Sequence, residues 1–157
     1  MRFGLVMMAA ACGTMLGCRT DAATAPRAAL TIVVPAASLV GLRSPVNPPG
    51  GFGGQAVLRN TTQLAVRVNA CGPDVEREVR LGEWETVLRR YCTMQLDLSD
   101  IEVPAMSELS VGWAAWAPLA GTGADLTGRY RLVYRYRVDG YLDDPEEARS
   151  APFDVED

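Results

Sequence analysis

The sequence predicts an all-β protein, an antiparallel β-sandwich of about seven to nine short strands. Three observations carry this. The stretch Gly128 to Val138 alternates without a break: Tyr130, Leu132, Tyr134, Tyr136 and Val138 share one parity, and Arg129, Arg131, Val133, Arg135 and Arg137 share the other. Strand side chains alternate faces, so this segment is a strand with an apolar, tyrosine-rich face and an arginine face. Shorter alternating runs recur along the chain, separated by Gly, Pro and Asn turns. No stretch shows a convincing 3.6-residue apolar period.

Composition narrows the chemistry. The chain has 157 residues, 48% of them apolar, and a net charge of -4. That is enough for one core, and no global charge draws it to nucleic acid. It contains no His, and all 15 basic residues are Arg. The usual general base near neutral pH is therefore missing, as are a P-loop lysine, a Schiff-base lysine and a Ser-Lys dyad. Arginine stays protonated and replaces none of them. The expectation is a non-enzymatic protein with no cofactor.

The first segment is an address. Met1-Arg2 opens it, and Phe3 to Leu16 is apolar and uncharged, too short to span a bilayer comfortably and suited to a signal peptide. It ends in Met15-Leu16-Gly17-Cys18, which resembles the lipobox of bacterial lipoproteins. The resemblance implies cleavage after Gly17 and a diacylglycerol on the Cys18 sulfur, often with a further acyl chain on the new amine. It divides the chain into a signal peptide at 1–17, a lipidated tether at 18–28 and a sandwich at 29–157. Arg19 after the anchor leans towards the outer membrane. The alternative is an ordinary signal peptide with an incidental cysteine. Cys12 leaves with the peptide, and Cys71 and Cys92 remain as a pair in an oxidising compartment. A bridge between them closes a loop of about 20 residues, contributing roughly 3 kcal/mol. Two buried thiols or half a metal site are the alternatives.

The mature chain follows in order. Arg19 to Ala29 is small and polar, a flexible tether. Leu30 to Val34 is a first, edge-type strand before Pro35. Ala36 to Gly54 is rich in Pro and Gly and reads as a long connection. Gln55–Asn60 and Leu64–Ala70 read as the arms of a hairpin turning at Thr61-Thr62-Gln63, before Cys71-Gly72-Pro73. Asp74 to Leu81 carries Val75, Val79 and Leu81 in phase. Gly82-Glu83 turns into a strand with Trp84, Thr86 and Leu88 on one face. Short β or turn structure at Leu96 to Pro104 precedes a strand from Leu109 to Ala115, with Trp113 in phase. A loop covers Ala117 to Thr127. After the arginine–tyrosine strand, Asp139 to Ala148 is an acidic loop and Ala151 to Val155 the closing strand.

Asp125 to Tyr130 resembles the approach to strand F of immunoglobulin-like domains, which implies an immunoglobulin-like sandwich with Tyr130 as its corner tyrosine. Leu132 stands where those domains carry the second cysteine. A looser resemblance covers about residues 55 to 138: Asn60-Thr61-Thr62 through Val68, a Trp-containing hairpin, Pro104 to Val111, and Gly128 to Tyr130. These features are similar to BsuPI-like proteinase-inhibitor domains, which implies inhibition as an alternative function. The paired cysteines and the long Gly/Pro insert depart from that family.

The candidate binding surface is Arg129, Arg131, Arg135 and Arg137, facing an anionic glycan, lipid or peptide, together with Trp116, which falls outside the clean alternation. The bland reading of the arginines is a solvated face paired with Glu76, Glu78, Glu83 or Glu85. Trp84 and Trp113 read as core. Asp139, Asp143, Asp144, Glu146 and Glu147 match no EF-hand spacing and read as an acidic loop, not a Ca²⁺ site. Asn60-Thr61-Thr62 is a formal glycosylation sequon. The expected function is a membrane-anchored envelope lipoprotein that binds an envelope protein or glycan. A carboxylate-based hydrolase is a third reading, and the sequence assigns no oligomeric state.

Overall fold

The computed structural model describes residues 29–35, 38–40, 50–90, 100–116, 125–140 and 145–156. Residues 1–28, where a signal peptide and tether are expected, lie outside the described residues. Eleven strands are described: β1 (Leu30–Val33), β2 (Ser38–Val40), β3 (Gly51–Asn60), β4 (Val66–Val68), β5 (Asp74–Arg80), β6 (Glu83–Leu88), β7 (Ile101–Val103), β8 (Glu108–Trp116), β9 (Gly128–Val138), β10 (Glu146–Arg149) and β11 (Phe153–Glu156). The chain is an all-β sandwich of two sheets. The smaller sheet runs β1-β3-β8, and the larger has eight strands arranged about β9.

β9 is long enough to serve four neighbours. On one edge β5 pairs with residues 130–133 and β4 with 136–138. On the other, β11 pairs with 128–130 and β10 with 133–136. Each edge is one path broken in the middle, which is why eleven strands appear where the sequence predicts fewer. The breaks are built by polar side chains. Asn69 Oδ1 accepts the Cys71 N–H at 2.8 Å. Buried Ser150 exchanges bonds with Leu132, its N–H donating to the Leu132 carbonyl and its Oγ accepting the Leu132 N–H. β7 and β6 extend the β4–β5 edge. β2 adds to β11 in parallel, an exception to the antiparallel expectation.

The tyrosine face of β9 is the core: Tyr130, Leu132, Tyr134, Tyr136 and Val138 are all buried. Phe52 packs on Tyr130 at 4.8 Å and edge-on to Trp113 at 5.9 Å, and Trp113 packs on Phe153 at 5.5 Å. This cluster joins the two sheets. The Tyr130 hydroxyl donates to the Leu126 carbonyl at 2.9 Å, a bond of the kind a corner tyrosine makes to backbone a few residues upstream. The preceding turn is closed by Asp125, whose Oδ1 accepts the Thr127 N–H and hydroxyl. Those two bonds hold the Asp125 carboxyl below its ordinary range.

Five local expectations change. Gln55–Asn60 and Leu64–Ala70 are not a hairpin: β3 lies in one sheet and β4 in the other, and residues 61–65 arch between them. The Pro/Gly segment holds β2 and the first four residues of β3. Glycine is needed there because a Cβ on Gly53 would stand 2.5 Å from the Trp113 carbonyl oxygen of β8. Val79 and Leu81 are exposed although Val75 is buried; the β5–β6 register shifts after Glu78, and β5 pairs with β9 only as far as Arg77. In β6 the buried residue is Val87, not Trp84, Thr86 or Leu88. The acidic loop after β9 ends in strand β10, where Ala148 is core.

Candidate interaction surface

The arginine face of β9 is laced with acids. Arg131 Nε lies 2.5 Å from Glu76 Oε2, directly across the ladder, and both side chains are mostly buried. Arg129 meets Glu78 at 3.5 Å, and Arg135 meets Asp74 at 3.4 Å and Glu147 at 3.5 Å. Arg149 of β10 closes the lattice on Glu147 and Glu76. Trp84 lies under Arg131, with the guanidinium carbon 4.3 Å from the ring centre. Beneath these charges Val133 is buried on the arginine parity. Among the described residues Arg137 has no ion-pair partner. It stands opposite Arg67, whose guanidinium is taken by Glu102 and Asp139. The Asp139 bond holds the Arg67 guanidinium above its usual value.

A small polar cleft opens in this face, lined by Asn69, Gly72, Asp74, Arg90, Val133 and Arg135. Its free volume of about 10 Å³ suits a single water. The carboxylate facing it is already engaged: Asp74 Oδ1 accepts the Arg90 N–H at 2.6 Å, and Oδ2 faces Arg135. The Arg90 guanidinium leaves the cleft and donates to the Ala114 carbonyl, stitching the β6 end to the other sheet. Of the remaining acids, Glu146 accepts the Tyr136 hydroxyl at 2.7 Å. Asp143 and Asp144 lie outside the described residues.

Trp116 is 52% exposed at the end of β8. It pairs with Gly51 of β3, where an added Cβ would lie 2.7 Å from Trp116 Cε3. The indole therefore rests on bare backbone and presents its outer face. At the same end of the sandwich, the β5–β6 hairpin projects past the start of β9. Its tip residue Leu81 is 93% exposed and Val79 44%. The tip is firm: Gly82 takes a φ of +79°, and Glu78 Oε1 accepts its N–H at 2.7 Å.

Cys71 is half-buried in the β4–β5 turn; Cys92 and Cys18 lie outside the described residues. One key residue escapes the motif reading. Asn60 is 2% exposed. Its Nδ2 donates to the carbonyls of Leu64, Val103 and Pro104 at 2.8–3.0 Å, and its Oδ1 accepts the Thr62 N–H and hydroxyl. The formal sequon is thus a structural node with no free amide. An Asn closing a strand before Thr-Thr was the available signal. Neither a protein-family model nor a curated protein matches the chain.

Proposed function

We propose that the chain is a non-enzymatic, lipid-anchored envelope protein that binds another envelope component with the end of the sandwich remote from its anchor. The carrying observation is the polarity of the domain. The chain enters β1 beside Asn60, where Thr61 N–H donates to the Ala29 carbonyl. Trp116, Val79 and Leu81 stand at the opposite end. The anchor itself rests on Met15-Leu16-Gly17-Cys18, and an outer-membrane location on Arg19. An exposed aromatic on a rigid strand end and an apolar hairpin tip suit contact with a protein. The arginine face supports this less, because Arg129, Arg131 and Arg135 are already paired.

The same reading includes a Cys71–Cys92 bridge. It rests on the oxidising compartment that the Cys18 anchor implies and on Cys71 and Cys92 being the two cysteines left after residue 18.

The test is a photo-crosslinking residue at Leu81 or Trp116 in the native envelope, with one at exposed Thr31 as control. The expected result is a discrete adduct from the first two sites only. Adducts equal at all three sites, or at none, would contradict the proposal. A captured protease would turn the reading to the BsuPI-like alternative.

A further inference from the structure

The end of the domain where the chain enters carries two apolar side chains that the core does not use. Met106, between β7 and β8, has a φ of +51°, the one non-glycine residue in that region among those described. Its side chain is 61% exposed. A long side chain rarely tolerates this strained backbone unless its surroundings impose it. They do: Met106 N–H donates to the Thr62 carbonyl at 2.9 Å. Leu64, 41% exposed, sits on that second arch, and its carbonyl is held by Asn60. Asn60 also grips Val103 and Pro104, which lead into Met106. Two apolar side chains are thus held out from one rigid base.

We propose that this base seats on the membrane, Leu64 and Met106 entering the headgroup boundary of a zwitterionic leaflet. This rests on reading Cys18 as the lipid anchor. Cys18 and Ala29 are joined by only the residues 19–28. A link of that length reaches at most about 35–40 Å. The base therefore stays within a domain's width of the lipid, at a high effective concentration. The acyl chains supply the affinity and the seat sets the orientation. Exposed charges around the base leave no cationic excess: Arg59 is met by Glu108 at 2.6 Å, and Arg67 by both Glu102 and Asp139 at 3.1 and 2.8 Å. That lack of cationic excess fits zwitterionic rather than anionic lipid. The seat turns Trp116 and Leu81 away from the bilayer.

The experiment uses the full acylated chain in phosphatidylcholine vesicles whose acyl chains are brominated, which quench tryptophan at the boundary. Met106→Trp and Leu64→Trp are compared with Leu81→Trp and with the unsubstituted chain, and intact mass confirms the acyl chains in each sample. Two reporters on separate arches guard against one that fails to fold. The emission added at 106 or 64 is expected to fall by about half on burial in the boundary, and that at 81 to stay unchanged. An acylated chain in which 106 and 64 are quenched no more than 81 overturns the seat and leaves the anchor standing. A chain without acyl groups overturns both.

Discussion

The two ends of the sandwich solve different problems. At the end where the chain enters, two arches between the sheets are knitted by one buried amide: Asn60 makes five hydrogen bonds to Leu64, Val103, Pro104 and Thr62. At the far end, short local bonds close the corner, Tyr130 to Leu126 and Thr127 to Asp125, and the apolar surface of Trp116 and Leu81 is left in water. The difference teaches that the domain spends its polar order on the base and leaves its apolar surplus at the tip. On the proposed reading, a base so tightly bonded would transmit the position of the anchor to the rest of the fold, and the exposed tip would be the part offered to a partner.

Breaking the base has the largest expected effect. Asn60→Ala removes all five of its side-chain bonds, leaving the Leu64 and Pro104 carbonyls only the Thr62 and Ser107 hydroxyls as donors, and is expected to cost about 3 kcal/mol. Urea denaturation followed by far-UV circular dichroism measures it; a loss below about 1 kcal/mol would show that the arches hold without the amide.

Alkali tests the core that both ends share. Burial pushes the Tyr134 hydroxyl up to about 12, and burial together with the bond to Glu146 does the same for Tyr136. Burial also raises Tyr130. Between pH 10 and 12 the folded state retains protons that the unfolded chain releases, so stability falls as pH rises. The loss is expected to reach about 3 kcal/mol by pH 12. Tyrosinate absorbance should appear together with unfolding. Early ionisation of all five tyrosines in a chain that stays folded would contradict this.

At the tip, the corner is worth less than the node. Tyr130→Phe removes one hydrogen bond and no packing, and is expected to cost about 1 kcal/mol in the same denaturant assay. The smallest effects separate binding from folding. Trp116→Ala and Leu81→Ser are expected to change stability by no more than about 0.5 kcal/mol while abolishing the crosslinked adduct. Met106→Gly releases the left-handed strain at the base and is expected to stabilise by up to about 1 kcal/mol, read as a rise in the denaturation midpoint.

Much of the scaffold was legible in the chain, and for a physical reason. β9 is buried on one face and charged on the other, so its alternation announces both its structure and its direction of burial. The same rule misplaced Val79 and Leu81, because the hairpin runs past the core and alternation there buries nothing. The glycines of β3 looked like a loop; their role shows only beside the β8 backbone, which they approach too closely for a Cβ. Asn60 was unreadable as a node because its carbonyl partners Val103 and Pro104 lie 43 and 44 residues away. The arginines were legible as a stripe, and two of their acids, Glu76 and Glu78, were named; among the described residues Glu83 and Glu85 do not pair with the stripe, and Asp74 and Glu147 do. Which of them pair depends on the β5–β9 and β9–β10 registers, which composition does not encode.

The most direct test of the central claim, a domain anchored at one end and exposed at the other, is intact mass spectrometry of the protein from its native membrane fraction, with and without reduction and alkylation. The account predicts a chain that starts at Cys18, carries two or three acyl chains, and takes up two alkyl groups only after reduction. A chain that retains residues 1–17, without acyl groups and with both thiols reactive before reduction, would contradict it.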